Sequence, residues 1–341
     1  MFENIFQKYI SAKNIIFFIV AILLIVFITK IKDIEILFFA SYVIACSLNP
    51  LVDKLSKKFN RGISSAIVLL STVFVILAFF IPLIGMTGHE IKSFVGHIPQ
   101  YIDFAKEFLV NTPFINKSQL AQIDIGDFIS SASGLTSEFV NRSINVSTNI
   151  ATAFVYFIAA LIIIFYFLAD KDVVKKGYLS LFPAQMKDRA DEILSTISNK
   201  IGGYVVAQIT TMSSVGIIMT IGLLILGVEY AVLLGLITAV LDIIPVVGPA
   251  LALVICLISA IKSGPLTLLL ITVVFAIAQL AENNFVRPYI FGKFLDLHPL
   301  IIYLFLFITA QYLGVVGVIF APAIAATVCV LVEELYIKNI N

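Results

Sequence analysis

The chain has 341 residues, 60% of them hydrophobic and 13% charged, with a mean hydropathy of +1.08. A soluble protein of this length has too little interior to hide so much apolar surface, which excludes a soluble globular domain and predicts an all-α, polytopic helical integral membrane protein. A net charge of +1 gives no electrostatic basis for nucleic acid as a partner and leaves the lipid bilayer as the first one.

A bilayer core of about 30 Å takes roughly 20 apolar residues per helix. Asn14–Thr29 follows Lys8 and Lys13 as a signal sequence would, but no small-x-small cleavage site comes after it, so it reads as a retained first span. Ile36–Val52 is the second, with Asn49-Pro50 expected to end it. Asp53–Arg61 (DKLSKKFNR) carries four bases and one acid, a cytoplasmic loop by the positive-inside rule. Gly62–Gly88 is the third span. Thr87–Arg142 then falls outside, with an apolar stripe at helical spacing through Ile91, Phe94, Val95, Ile98, Ile102, Ala105, Phe108 and Leu109, ended by Asn111-Thr112-Pro113. A weaker stripe begins at Leu120. Ser143–Ala169 is the fourth span. The six bases of Asp170–Lys200 return the chain to the cytoplasm. There Met186, Ala190, Ile193, Leu194, Ile197 and Ile201 predict an amphipathic helix on the membrane surface or on a neighbouring helix.

The remaining apolar runs are Ile201–Val228, Tyr230–Ile261, Ser263–Ala281 and Pro299–Val332. Two of them are too long. Pro299–Val332 is 34 residues, about 50 Å of straight helix, and Tyr230–Ile261 has the same excess. Each carries helix breakers near its centre: Pro245, Gly248 and Pro249 in the first, Gly314, Gly317 and Pro322 in the second. Each therefore predicts two short helices meeting at a turn, as a re-entrant hairpin or a pair of short spans. The total is about eight spans with two broken hairpins, at 245–249 and 314–322. The chain divides into three spans (1–86), an extracytoplasmic helical segment (87–146), a fourth span with its cytoplasmic helix (147–200) and a core (201–341). Both termini are expected in the cytoplasm of a prokaryotic cell, with the plasma membrane as the location.

The two hairpin windows share short matches. Ala207-Gln208 aligns with Ala278-Gln279 and Ile237-Thr238-Ala239 with Ile308-Thr309-Ala310, both offset by 71; Val246-Val247-Gly248 aligns with Val315-Val316-Gly317, offset by 69. Ile201–Ile261 and Thr272–Val332 thus form a candidate repeat, the first unit starting inside and the second outside. That is the inverted arrangement of many secondary transporters, whose broken helices bind substrate near the midplane.

Polar groups in these windows need a reason, since a charge at a membrane helix centre costs about 2.5–3.5 kcal/mol on insertion scales. Asp242 is the one charged residue of Tyr230–Ile261. It reads equally as a cation, proton or hydroxyl site on a cavity, or as a cap for backbone amides freed by Pro245 and Gly248. Glu282 reads as the counter-ion of Arg287 or Lys293, or as a gate or proton carrier beside Asn283. Gln208, Gln279 and Gln311 read as interhelical glue or as pathway lining. His298, before Pro299, reads as a helix cap or interface residue, or as a proton relay. Cys46, Cys256 and Cys329 are scattered in apolar runs, as buried thiols are. With three His, three Cys and no phosphate-binding or hydrolase motif, neither a metal, a cofactor nor a catalytic residue is expected, and the chain does not read as an enzyme.

The stretch ENNFVRPYIFGKFLDLHPL (Glu282–Leu300) resembles the signature of the autoinducer-2 exporter family of bacterial and archaeal membrane proteins. Glu282, Asn283, Pro288, Gly292, Lys293, His298 and Pro299 carry the match. NPLVDKLSKKFNRGIS, YFLADKD through FPAQMKDRADEI, and IPVVGP are similar to further parts of the family pattern. The resemblance implies about eight spans, a homo-oligomer and secondary transport, with export of autoinducer-2 in some members and sodium or lithium/proton antiport in others. Three functions are carried forward. The first is a secondary transporter exporting a small polar metabolite or signalling molecule such as autoinducer-2, with Asp242, Gln208, Gln279 and Gln311 lining the path. The second is a sodium (or lithium)/proton antiporter using Asp242 or Glu282. The third is a non-transporting membrane scaffold whose outer segment binds a partner.

Overall fold

A computed structural model of the chain describes residues 32–111, 146–245, 247–290 and 297–336. The expected first span, the stripe from Leu120, and Gly292 and Lys293 lie outside these residues. All regular structure among the described residues is helical: α1 (Lys32–Leu55), α2 (Arg61–Asn111), α3 (Val146–Ala169), α4 (Lys171–Ser180), α5 (Lys187–Ile225), α6 (Ala231–Leu241), α7 (Val247–Ser259), α8 (Pro265–Ala281), α9 (Arg287–Ile290) and α10 (Pro299–Leu335). Six helical segments are long and apolar enough to cross a membrane, and α6 and α7 are shorter apolar helices. The molecule is therefore a multi-pass helical membrane protein.

Two polar stretches do not interrupt the helices beside them. α2 runs for 51 residues, so the third span and the stripe from Ile91 belong to one rod. α5 runs for 39 residues, from the cytoplasmic stripe straight into the next span. Ile193, Ile197 and Ile201 are buried against Val43 of α1 and Ala323, Ala326 and Val330 of α10, so the stripe covers neighbouring helices; Ala190 is buried as well, while Met186 is exposed. Asn49-Pro50, expected to end the second span, does not: α1 continues through Pro50 to Leu55. Proline withholds one backbone bond, from the carbonyl four residues back, and that carbonyl belongs to Cys46. Gly202 of α5 packs against it so closely that a Cβ would sit 2.5 Å from the oxygen. The break is thus absorbed at a helix crossing.

At one end of α1, Arg61 ties the first described turn together. It donates to Asp53 at 2.7 Å, to Asn49 at 2.7 Å and to the Leu168 carbonyl at 2.8 Å. Lys171 adds a contact to Asp53 at 3.4 Å.

Both long windows fold back on themselves. A methyl on Gly248 would collide with the carbonyl of Leu241, and one on Gly317 with the carbonyl of Thr309. In a straight helix residues seven or eight apart lie about 10–12 Å apart along the axis, so each contact requires a reversal. In the first hairpin the reversal lies between α6 and α7. These arms have 11 and 13 residues, about 16 and 20 Å, each shorter than a bilayer core of about 30 Å. In the second, Gly314 takes φ 62° and ψ −143° inside α10, a conformation open to glycine at little cost. Pro322, expected as part of that break, lies instead within the returning arm, where the helix continues.

The hairpins open toward opposite ends of the molecule. About 50 Å of helix axis separates Arg189 from Leu223 on α5. The first hairpin's base, at Tyr230, Ala231 and Ala260, packs with Leu223. The second hairpin's base packs near the other end, with Leu297 and Val330 beside Ile193 and Ile197. Glu334 pairs there with Arg189. The first base is also clasped by the distal part of α2. Ser93 bonds Tyr230 at 2.9 Å, and Lys262 lies over the rings of Tyr101 and Phe104.

Candidate functional site

Both hairpins meet α5 on adjacent turns near its middle. Gln208 donates to the main-chain carbonyl of Asp242 at 3.5 Å. One turn earlier, the hydroxyl of buried Tyr204 donates to the carbonyl of Ile319, just past the second tip, at 3.1 Å. Residues four apart share a helix face, so one side of α5 holds both tips.

Asp242 closes α6, its amide bonded to Thr238 at 3.0 Å. Beyond it Pro245 turns the chain, and Pro249 sits in the first turn of α7, where a missing amide hydrogen costs nothing. Asp242 is 1% exposed, and among the described residues neither of its side-chain oxygens receives a hydrogen bond. The cap reading of Asp242 therefore fails: Gly248 bonds Ile244 at 2.9 Å instead, so the turn satisfies that amide with its own backbone.

The charged groups whose influence reaches Asp242 are Glu282 and Arg287, which are paired with each other. Glu282 is fully buried and opens a π-turn, Glu282–Val286, between α8 and α9. A π-turn inserts one extra residue and is frequent at functional positions. Its effect here is specific. The Arg287 amide bonds back five residues to the Glu282 carbonyl, which brings the guanidinium round to the Glu282 side chain. Arg287 Nε donates to Oε1 at 2.6 Å and Nη2 lies 2.5 Å from the same oxygen. Gln279, one turn before, donates to Oε2 at 3.1 Å.

Asp242 is thus a buried carboxyl with no hydrogen-bond donor among the described residues, and Glu282 a buried carboxyl already paired with Arg287; a proton or a cation would offset the cost of burying the first. Their oxygens are hard ligands, suited to a proton or to a cation such as sodium or lithium, and unsuited to soft metals.

The remaining candidates take different places. Gln311, the sequence counterpart of Asp242, is exposed, and the buried polar group of the second tip is Thr309, which donates to Gly317 at 2.8 Å across the reversal. Thr238, its match in the first hairpin, lies 4.0 Å from Cys256 on the opposite arm. Asn283 and Pro288 are exposed. His298 caps α10, its Nδ1 accepting from Leu300 at 3.3 Å. Sequence reasoning missed Tyr204 and Thr309. The repeated Ile-Thr-Ala tripeptide was the signal for Thr309; none marked Tyr204.

A family model described as "AI-2E family transporter" matches residues 15–337. The chain is 29% identical over 293 residues to YueF of Bacillus subtilis, provisionally named a transport protein, covering 82% of this chain and 78% of that one. It is 24% identical over 285 residues to MJ1177 of Methanocaldococcus jannaschii, named in the same way, covering 81% and 82%. It is 22% identical over 335 residues to a Halobacillus andaensis protein named sodium-lithium/proton antiporter, covering 92% and 94%.

Proposed function

Since the chain belongs to the AI-2E family of transporters, we propose that it is a secondary transporter that exchanges protons for sodium or lithium at the Asp242–Glu282 pair. The observation that carries this reading is the burial of two carboxyls, Glu282 paired with Arg287 and Asp242 without a hydrogen-bond donor among the described residues. A proton and an alkali cation satisfy such a pair in mutually exclusive ways, and competition for one site is what couples two ions. The antiporter named in Halobacillus andaensis, alike over nearly its whole length, supports the same direction. The bases between Asp170 and Lys200 lie toward the end of α5 where the second hairpin opens. On the positive-inside rule that end faces the cytoplasm of a prokaryotic plasma membrane, and the first hairpin opens outward.

Export of a small polar solute, autoinducer-2 among the candidates, is the second reading. It draws on the Gln208 amide and the Thr309 hydroxyl at the two tips, and the same acid pair would then couple export to proton entry.

The test uses the purified chain in proteoliposomes carrying an internal pH dye. An inward sodium or lithium gradient is expected to alkalinise the lumen, and Asp242→Asn to abolish that response while purifying as a folded protein. Absence of any sodium- or lithium-dependent pH change in the parent would remove the antiport reading.

A further inference from the structure

α3 ends at Ala169 and α4 begins at Lys171, so α4 starts where a membrane-spanning helix stops. The ten residues of α4 have two unlike faces, and none of them is buried. Val173, Val174 and, just past the end of the helix, Leu181 are 68%, 42% and 79% exposed. Asp172, Lys175 and Lys176, spaced by three and four, share the other face. A short helix with an uncovered apolar face at the end of a span lies along the membrane interface, with its apolar side chains at the boundary of headgroups and acyl chains.

The charged face of α4 does not stand alone. Together with Lys187, Asp188 and Asp191 from the first turns of α5 it lines a cavity of about 390 Å³, the size of a small-molecule site. Lys175 and Asp191 are paired across it at 2.5 Å. The side chains of Lys176, Lys187, Asp172 and Asp188 form no ion pair or hydrogen bond with any other described residue. The cavity thus keeps two ammonium groups and two carboxylates unengaged, with no net charge. A simple anion would engage the lysines and leave the acids bare, and a simple cation would do the reverse. A group with both charges meets all four. Its cationic part must carry hydrogens, because a carboxylate accepts hydrogen bonds and cannot donate them.

We propose that the cleft between α4 and the start of α5 binds a phospholipid headgroup that carries both a phosphate and a primary ammonium, as phosphatidylethanolamine does. The phosphate sits on Lys176 and Lys187, the ammonium on Asp172 and Asp188, and the acyl chains run beside Val173, Val174 and Leu181. One short helix supplies a charged wall and an apolar face, which is what a lipid with a polar head and apolar tails requires and a soluble zwitterion does not. Phosphatidylcholine lacks the N–H donors, and phosphatidylglycerol lacks the cation. The site is independent of the transported solute, since it shares no residue with the Asp242 and Glu282 region.

The test is native mass spectrometry of the full-length protein, stripped of lipid in detergent. It is offered an equimolar mixture of phosphatidylethanolamine, phosphatidylcholine and phosphatidylglycerol with matched chains. The parent is expected to retain phosphatidylethanolamine about tenfold more than either of the others, the worth of one charge-assisted contact. Lys176→Gln combined with Lys187→Gln is expected to abolish that preference. Asp172→Asn combined with Asp188→Asn leaves the cavity positive and is expected to turn the preference to phosphatidylglycerol, a gain that misfolding cannot produce. All four side chains are exposed and unpaired, so both double variants are expected to unfold at the parent's temperature. Glycerophosphoethanolamine, the headgroup without its chains, is expected to compete about a hundredfold more weakly than the lipid, since a few buried methylenes are worth that much. Equal retention of the three lipids by the parent, or preference for either of the other two, overturns the inference. So does a preference that neither double variant changes, which would place the lipid elsewhere on the protein. Equal competition by glycerophosphoethanolamine overturns it too, and makes the cavity a site for a soluble zwitterion.

Discussion

At the scale of single residues, Arg287 decides whether two buried carboxyls can coexist. Removing one partner of a buried ion pair leaves an uncompensated charge and costs about 3–5 kcal/mol. Arg287→Gln is expected to destabilise the detergent-solubilised protein by an amount of that order, read from thermal or denaturant unfolding. Adding Glu282→Gln should restore most of it, since the double variant buries neither member of the pair, and a double-mutant cycle gives the coupling directly. Additive effects would show that Arg287 serves some other contact. Of this cluster, the presence of each group was legible in the sequence, because charges in apolar runs stand out. That the charges of Glu282 and Arg287 reach Asp242 was not. Asp242 and Glu282 lie forty residues apart, and no spacing rule joins a hairpin tip to a helix end. The π-turn was also hidden: at α-helical spacing the side chain facing Glu282 would have been Val286, and only the extra residue brings Arg287 round.

At the scale of elements, the two hairpins are closed by one device, a glycine pressed on a carbonyl of the incoming arm. Gly248→Ala and Gly317→Ala are each expected to cost about 1–3 kcal/mol by overpacking, and to lower transport because the two hairpins hold adjacent turns of α5. Gly177→Ala is the control. Gly177 lies in α4 with nothing near its Cβ position, so alanine there should be neutral or stabilising by up to about 1 kcal/mol. Equal unfolding temperatures for all three variants would mean that the turns can open to admit a methyl. The reversals themselves were legible, because windows of 32 and 34 residues exceed a bilayer and carry their breakers near the middle. Boundaries were less so. Pro50 and Pro322 look like stops in the sequence, yet both lie inside helices. The polar residues beyond Gly88 and before Ile201 suggested separate helices, where α2 and α5 each continue as one. A proline ends a helix only if nothing else can settle the carbonyl it strands, and that depends on which helix crosses there.

At the scale of the whole molecule, α5 acts as a strut with one hairpin anchored at each end and both tips on its middle. Alternating access needs the two ends to open in turn, so the anchors are where the conformational balance is set. The anchor at the end rich in bases is ionic. Arg189 pairs with Glu334, which is 7% exposed, and also donates to Glu192 at 2.8 Å. The other anchor is aromatic, with Lys262 and Tyr230 held by Ser93, Tyr101 and Phe104. Weakening one end should therefore leave the other intact. Glu334→Gln removes a charge-assisted contact worth about 1.5–3 kcal/mol. In hydrogen-exchange mass spectrometry of the parent and the variant, the last turns of α10 should exchange roughly tenfold to a hundredfold faster, since each 1.4 kcal/mol is a factor of ten. Peptides from α6 and α7 should be unchanged. Faster exchange spreading to the first hairpin would show that the two hairpins move as one body, and the ends could not then open in turn.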